Sequence, residues 1–364
     1  MFAKFYSPPD GTRKLRELFK FATKDISSYD YQQRFIAPGE FTMELPVSKE
    51  LVGNIRLGYI IEIDGDWLII ETVAYNNDIL TISGSDLKGI LSYRISAVGS
   101  SEDMYDVFPT LGTANTAQCI EYYINRNIIS ADDVPRRMPL SFSAGTVQGL
   151  SSDGYMAKLE NLADIVKTLC YTAGIGYTIA GKSDSQKLEM KLLKGTDRSM
   201  DQNVRPRVIL SPGWGNVREQ SFEHDISNMY NAITAQKPDG TLRVVNRGGS
   251  AAEGLVRREC TVEVGSNKNA DADRLALEAV EDNTDLHTYK AVPLADSFGA
   301  DFVIGDIISV RDRFTGNCFS APVTEVHKSY SSGSKTVDIT VGGLKPKLLN
   351  RIINNLLSGT QKRR

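Results

Sequence analysis

The sequence has few cysteines, and none of them occurs in the spacing of a metal site. The 364 residues include four cysteines, spread along the chain without a CxxC pair. This separation argues against a structural zinc site and against a disulfide framework. We therefore expect small buried thiols and assign no metal ligand. The four residues are Cys119, Cys170, Cys260 and Cys318.

An excess of charge of one sign and long apolar runs are also lacking. The 42 basic and 45 acidic residues give a net charge of −3, whereas a dedicated nucleic-acid-binding protein needs a basic field. No run approaches the roughly 18 apolar residues of a membrane span, and the first residues lack the apolar core of a signal peptide. We therefore expect no membrane insertion, no specific nucleic-acid binding and synthesis in a cytoplasm.

The length and composition fit two to three globular domains. Apolar residues make up 41% of the chain and charged residues 24%, so a hydrophobic core can form without disulfides or structural metal ions. The pattern of predicted elements gives a β-rich block, a mixed block, a second β-rich block and a tail. We place these at residues 1–104, 105–205, 206–343 and 344–364.

The first block contains a hairpin signal. Residues 59–72 alternate in polarity around Asp64-Gly65, a dipeptide typical of two-residue hairpin turns. Phe41–Ser48 also alternates, and Pro46 predicts an edge strand or a strand end there. Two further stretches are a short helical turn at residues 86–91 and, at Thr12–Thr23, either a short helix or a β-ribbon.

The middle block predicts two helices followed by a hairpin. The first helix begins at Thr113 or Asn115, and the second ends near Gly174, a residue that favours a helix C-terminus. Residues 176–180 and 187–193 then alternate as two strands, which predicts a small α+β domain with helices on one face of a short sheet. The apolar stripe of the second helix is Leu159, Leu162, Ile165, Val166, Leu169 and Cys170.

The third block predicts eight short strands separated by turns, a pattern typical of a β-barrel or sandwich. One helix, at residues 269–283, interrupts them. The tail predicts an amphipathic helix with six basic groups and no acid. Such a short helix needs to dock, either on its own chain or on a neighbouring subunit; a membrane or nucleic-acid contact is disfavoured because few bases flank its apolar stripe.

One segment, Gly176 to Ser183, matches the phosphate-binding pattern G-x-x-x-x-G-K-[ST]. That loop needs a strand before it and a helix after it, so that backbone N–H groups converge on the phosphate. Here the predicted order is reversed, with a helix before the segment and a strand after it. We therefore predict a plain hairpin and no nucleotide cofactor.

The histidines form no recognisable catalytic motif. None of His224, His287 and His327 belongs to HExxH or to a Cys/His cluster, and a GxSxG motif is absent. Glu223 and Asp225 flank one histidine, but neighbouring residues of a strand point to opposite faces. We expect a solvated segment there.

Three acids alternate along the predicted hairpin, namely Glu62, Asp64 and Asp66. They resemble a pair of catalytic carboxylates, although hairpin turns are commonly acidic because they face water. We expect solvated carboxylates. The sequence thus assigns no catalytic, cofactor-binding or metal-ligating residue, and it predicts a protein that is not an enzyme.

A set of short segments then occurs in a fixed order over residues 35–345. The most specific is FGADFVIGDIISVRD at 298–312. Together they resemble the tail-hub family of long-tailed phages, the baseplate-hub or tail-associated proteins of siphophage type. The other segments are PGEFTMELPVS at 38–48, LTISGSDLKGILSYRI at 80–95, GIGYTI at 174–179, KGTDRS at 194–199, ILSPGWGNVREQSFEHDISNMYNAITA at 209–235 and EGLVRRE at 253–259.

The resemblance implies a mostly β, α+β architecture, in which two similar β-barrel domains flank a small α+β domain and a C-terminal amphipathic helix follows. It also implies a homotrimer in the virion at the tail tip or baseplate. Three chains with two related barrels each would form a pseudo-sixfold ring that meets a sixfold tube. The implied partners are the distal tail protein ring, the tape measure protein and tip fibre or receptor-binding proteins, with DNA passing through the channel.

Two alternatives remain open at the sequence level. One is a receptor- or carbohydrate-binding module of the tail tip, and the other is a cell-wall hydrolase of the injection apparatus. Because the sequence ends 21 residues after TVDITVGG, at 336–343, we expect lytic and receptor-binding activities to reside in other proteins. The two turns at Gly305-Asp306 and at Asp225–Asn231 are expected to serve backbone geometry and hydrogen bonding.

Overall fold

The fold is described from a computed structural model. It describes residues 2–8, 15–96, 106–107, 115–145, 147, 155–157, 159–182, 187–237, 239–247, 250–263, 276–277, 280, 286–294, 297–331 and 333–342. The chain divides into two compact units. The first comprises Met1–Ser221 with Lys290–Val341, and the second comprises Phe222–Tyr289 with Gly342–Arg364.

The described residues of the first block form seven strands with little helix. The strands are β1 (Phe2–Ser7), β2 (Arg16–Ala22), β3 (Ser28–Arg34), β4 (Glu40–Pro46), β5 (Ile60–Ile63), β6 (Asp66–Tyr75) and β7 (Ile79–Asp86). A short helix α1 (Lys49–Asn54) and 3-10 turns at Thr23–Asp25 and Leu87–Tyr93 connect them. The ambiguous stretch before Thr23 is therefore a strand, and the predicted helical turn at residues 86–91 is confirmed.

The predicted hairpin at Asp64-Gly65 is also confirmed. Both residues have positive φ, 52° and 84°, as a type I′ turn requires, and Ile63 pairs with Asp66 across the turn. Pro46 ends β4, where it pairs with Ile79 of β7. Because β4 has a neighbour on each side, Pro46 marks a strand end and not an edge strand.

The core of this block lies on the inward faces of its strands. Alternate residues of β4 are buried and the residues between them face outward, the period of two that a half-buried strand shows. Burial of these apolar side chains at about 25 cal/mol per Å² is the main stabilising contribution. Every strand of this block except β2 contributes buried residues to the core, which include Phe5, Tyr31, Phe41, Met43, Leu45, Ile61, Leu68 and Ile82.

In the part of the middle block that the structure describes, the two α-helices are α2 (Thr116–Ile124) and α3 (Leu162–Thr172). Asn115 caps α2 in a reciprocal capping box with Gln118, which confirms one of the two predicted starts. Gly174 has φ of 62° just beyond α3, as its C-terminal role requires. The strands are β8 (Asp106–Val107), β9 (Leu140–Ser143), β10 (Met156–Ala157), β11 (Gly176–Lys182) and β12 (Lys187–Leu193), and single turns of π and 3-10 helix lie at Asn125–Ile129 and Val134–Arg136.

The third block continues the sheet of the first. Its strands are β13 (Ile209–Leu210), β14 (Val217–Asp225), β15 (Ala232–Gln236), β16 (Leu242–Asn246), β17 (Glu259–Glu263), β18 (Leu286–Pro293), β19 (Ile307–Arg311), β20 (Cys318–Ser331) and β21 (Ser334–Gly342), with 3-10 turns at Pro212–Trp214 and Gly254–Val256 and a helical turn at Ser297–Ala300. The main sheet has the order β14-β18-β21-β20-β3-β4-β7-β6-β5-β1-β2, and β19 joins it through β20.

This arrangement is mostly β, as expected from the sequence, but the path of the main sheet is open among the described residues. Two closed barrels therefore stay a prediction, as does the division into three domains. The predicted C-terminal helix lies outside the described residues.

The second unit contains a separate three-stranded sheet of order β16-β15-β17. Its small core combines Ile233 and Val262 from the sheet with Ala276 and Val280. Ala276–Leu277 are helical, and the rest of the predicted helix at residues 269–283 lies outside the described residues apart from Val280.

Candidate functional site: a buried ionic junction between the blocks

The most unusual chemistry of the first unit lies where β3 meets β20. The two strands pair antiparallel from Ser28 opposite Ser331 to Arg34 opposite Glu325. Lys328 of β20 lies opposite Tyr31, with its ammonium 5.6 Å from the centroid of the tyrosine ring. Strands nearly 300 residues apart in sequence are thus joined through a side chain that faces the protein interior.

The ammonium of Lys328 forms a buried ion pair with Asp66. Its Nζ donates to both carboxylate oxygens at 2.7 and 2.8 Å, and the two side chains are 14% and 7% exposed. Burial raises the pKa of Asp66, and the nearby Lys328 offsets this only in part. The pair therefore compensates a carboxylate that the first block buries at the end of its hairpin turn.

A second buried pair, Asp86 with Lys88, lies on the same side of β3. Their charged groups are 3.3 Å apart with both side chains 6% exposed, and the lysine also donates to the carbonyl of Arg34. Tyr31 donates to Asp86 at 3.2 Å. Burial raises the pKa of Asp86 and lowers that of Lys88, since low polarity disfavours both charged forms.

Phe35 marks the point where all three blocks approach each other. A Cβ atom added to Gly176 of the middle block would lie 2.4 Å from its ring, and one added to Gly305 of the third block would lie 2.2 Å from it. At Gly195 an added Cβ would lie 1.7 Å from the carbonyl oxygen of Gly305. Glycine is required at these positions because ring and backbone occupy the space of a side chain.

Asp306 stabilises the same region by hydrogen bonds to backbone and side chain. It is 2% exposed and accepts from the amides of Thr196 at 2.7 Å and Val303 at 3.1 Å, and from Arg198 Nε at 3.1 Å. The predicted structural role of the turn at Gly305-Asp306 is confirmed. The turn before Asn231 behaves alike, since Asp225 accepts from the amide of Ser227 at 2.7 Å.

A small cavity of about 50 Å³ lies at the junction, next to Asp66, Lys88 and Tyr177. The hydroxyl of Tyr177 is buried without a hydrogen-bond partner, and a cavity of this size holds one or a few water molecules. The charged groups are paired and enclosed, so the arrangement is suited to fixing the blocks together.

Residues 176–182 of the segment that matched the phosphate-binding pattern form the strand β11, and Ser183 lies outside the described residues. The strand pairs residue by residue with β12, from Gly176 opposite Leu193 to Lys182 opposite Lys187, and α3 precedes it. Lys182 forms an ion pair with Glu189 at 3.3 Å. The prediction of a plain hairpin is confirmed, because no loop between the two glycines is available to surround a phosphate.

The three acids of the first hairpin have different environments. Glu62 accepts hydrogen bonds from Lys4 and Tyr6, and Asp64 pairs with Lys335 at 2.8 Å. The expectation of solvated carboxylates is wrong for Asp66, which is buried beneath Lys328. The sequence carried no sign of this, since the lysine lies 262 residues away.

The segment Glu223-His224-Asp225 lies in β14, and its first two residues are exposed, as expected. His327, to which sequence analysis assigned no role, bridges two carboxylates: its Nε2 lies 2.7 Å from Asp30 and its Nδ1 3.4 Å from Asp338. Burial lowers its pKa, but hydrogen bonds and charge from the two aspartates outweigh burial and leave the pKa raised.

The described part of the chain contains no group of three or more His, Cys, Asp or Glu side chains that could hold a metal ion. None of the helices in that part is long and apolar enough to cross a membrane. Cys119 and Cys170 are buried, as predicted, but Cys318 is exposed and Cys260 half-buried. Burial raises the pKa of Cys119 to about 12, so this thiol stays protonated near neutral pH.

The chain matches the model of the Siphovirus ReqiPepy6 Gp37-like protein family over residues 19–343. Comparison with curated proteins gives no match. Among solved structures, the chain is similar to the prophage MuSo2 43 kDa tail protein from Shewanella oneidensis, with 12% identity, a TM-score of 0.57, and coverage of 97% of this chain and 99% of that one.

Two further tail proteins share the fold. Prophage tail protein gp18 from Listeria monocytogenes EGD-e is 11% identical with a TM-score of 0.54, covering 99% of this chain and 100% of that one. The tail protein from Neisseria meningitidis MC58 is 13% identical with a TM-score of 0.54, covering 94% and 97%. At these identities the likeness concerns the fold.

Proposed function

The chain belongs to the Siphovirus ReqiPepy6 Gp37-like protein family, and from this we propose that it is the structural hub of a siphophage tail tip. The family is one of siphophage tail-associated structural proteins. The observation that carries the proposal is the match of the fold over nearly the whole chain to prophage tail proteins of similar length.

The junction between the blocks supports a ring-forming role. A ring of three chains can present six similar lobes around its axis only if each chain holds two lobes in fixed positions relative to each other. Here the β3–β20 pairing and the Asp66–Lys328 ion pair join the first block to strands of the third. We propose that three chains form a ring in this way and that its two β-rich blocks alternate around a channel.

The proposed partners follow from this place in the tail. One side of the ring contacts the distal tail protein ring at the end of the tube. The tape measure protein and DNA pass through the channel, and tip fibres or receptor-binding proteins attach on the outer side. DNA is not held specifically, because the chain carries a net charge of −3 and offers no basic field.

The test is the symmetry of the purified protein, alone and mixed with the distal tail protein of the same phage. Native mass spectrometry should give three copies, and class averages of cross-linked particles should show a threefold ring with six lobes. We expect obligate contacts that each bury about 2,000 Å² or more. Monomers that stay monomeric with the distal tail protein present would overturn the hub.

The proposal assigns no chemical step to this chain. The purified protein should therefore leave a suspension of bacterial cell walls turbid, with a known muramidase as the positive control. Clearing by this protein would favour the cell-wall hydrolase instead.

A further inference from the structure

A cavity of about 570 Å³ lies on the outer side of the first-block sheet, beside β11. Its size is in the range of small-molecule and cofactor sites. We call it the outer groove and define it by six lining residues that combine aromatic rings with charges of both signs. They are Lys4, Tyr6, Glu17, Glu62, Trp67 and Lys182.

The groove uses the face of the sheet that is not needed for the core. In β1, Ala3 and Phe5 are fully buried, so Lys4 and Tyr6 point to the other face. Lys4 lies opposite Glu62 of β5, and Tyr6 lies opposite Glu17 of β2. The strand register therefore brings aromatic and ionic side chains together outside the apolar core.

The aromatic wall is held by close packing. The rings of Tyr6 and Trp67 lie with centroids 5.3 Å apart and planes 31° apart. A Cβ atom added to Gly181 of β11 would lie 2.1 Å from the indole ring. Glycine at this position thus lets the ring of Trp67 rest against the backbone of β11, which fixes its orientation towards the groove.

The polar groups are held in place as well. Glu62 Oε2 accepts from the Tyr6 hydroxyl at 2.7 Å and from Lys4 Nζ at 2.9 Å. Both bonds fall on one oxygen, so Oε1 is the atom offered to a ligand. The lining carries two lysines and two glutamates, so it favours neither an anion nor a cation.

We propose that the outer groove binds a neutral oligosaccharide. Sugar hydroxyls donate to carboxylates and accept from ammonium groups, which suits a lining with both and no net charge. The C–H faces of a sugar ring pack on flat aromatic side chains such as Trp67 and Tyr6, which supply large apolar area beside polar groups. A neutral, polyhydroxylated ligand uses every group of this lining.

The test uses the intrinsic fluorescence of Trp67. The chain has two tryptophans, so Trp214→Phe leaves the indole of the groove as the single reporter. The full-length W214F protein is first applied to an array of bacterial surface glycans, and retained glycans are then titrated in solution. We expect a saturable change in emission with neutral oligosaccharides and none with an acidic or a basic peptide of similar length.

Variants place the binding in the groove. Glu62→Gln should weaken it by about tenfold or more, because a hydrogen bond to a charged group is lost. Gly181→Ala should displace Trp67 and change the emission before any ligand is added. Glu223→Gln, on an exposed part of β14, is the matched control and should bind as W214F does.

Three results would overturn the proposal: no retained glycan on the array, equal binding by the Glu62→Gln variant, or a response to the peptides instead. Circular dichroism of each variant separates loss of binding from loss of fold. Ring formation is measured on the same samples, so a failed groove and a failed hub give different results.

Discussion

Two neighbouring residues of β20, His327 and Lys328, meet aspartates of the first block in opposite settings. Lys328 points inward to Asp66, with side chains 14% and 7% exposed. His327 points outward to Asp30, with side chains 39% and 58% exposed. Both contacts have an N···O distance of 2.7 Å, so geometry alone does not distinguish them.

The two ion pairs differ in what can stabilise the aspartate once its basic partner is removed. Water can solvate Asp30 if the histidine is removed, whereas Asp66 would remain as a carboxylate in a medium of low polarity. Exposed ion pairs contribute about 0–1 kcal/mol, while removal of one member of a buried pair costs about 3–5 kcal/mol. The same kind of contact thus has a large or a small effect according to its burial.

Lys328→Met should have the largest effect. It leaves Asp66 buried and unpaired, so we expect the free energy of unfolding near neutral pH to fall by about 3–5 kcal/mol. Chemical denaturation measures the loss. The matched control is Lys335→Met, which breaks the more exposed pair with Asp64 and should cost no more than about 1 kcal/mol. Equal losses in the two variants would contradict the comparison.

Lowering the pH should reduce the cost of Lys328→Met. Burial already raises the pKa of Asp66 above its ordinary value of 3.8, and loss of the lysine raises it further. At pH values between the ordinary pKa of Asp66 and its raised pKa in the folded variant, the folded state of the variant binds more protons than the unfolded state. The stability of the variant therefore rises as the pH falls through this range. Denaturation of both proteins at several pH values from neutral to about 4 should show a shrinking difference. A constant difference would mean that Asp66 stays charged or is solvated in the variant.

Replacing both partners should restore most of the loss. In the double variant Asp66→Leu with Lys328→Met, no buried charge remains, and such replacements are often neutral or stabilising. We expect a free energy of unfolding within about 1 kcal/mol of the parent protein. If the double variant is as unstable as Lys328→Met, the pair fixes local geometry that apolar side chains cannot reproduce.

His327→Gln should have the smallest effect, below about 1 kcal/mol. The folded pKa of His327 is raised above the ordinary 6.5, so its stabilisation is present below that pH and is lost as the pH rises through the folded value. The free energy of unfolding of the parent protein should therefore fall between pH 6 and pH 9, and that of the variant should fall less. By this linkage, the two decreases should differ by roughly the contribution of one surface ion pair. If His327→Gln lowered the free energy of unfolding more at pH 9 than at pH 6, the result would contradict a protonated His327 that bridges the two aspartates.

The sequence predicted those parts of the fold that depend on neighbours along the chain. The turn at Asp64-Gly65, the strand predicted at residues 176–180 and the helix stop at Gly174 all follow from local backbone preferences, although the observed strand continues to Lys182. The partner of Asp66 was missed for a physical reason. The local sequence around an aspartate that follows a turn is the same whether its carboxylate is solvated or pairs with a lysine of β20. Sequence spacing therefore does not predict the ion pair. The same reason hid the bridge at His327.

The distance along the chain between β3 and β20 also affects how the protein is made. Asp30 and His327 are 297 residues apart, so at roughly 5–20 residues per second a ribosome needs about 15–60 s between them. During this time the first-block core can condense, while the edge of β3 has no native neighbour and Asp66 no counter-ion. Unpaired strand edges on nascent chains invite aggregation. The edge of β3 is therefore protected only when β20 has been synthesised and has paired with it.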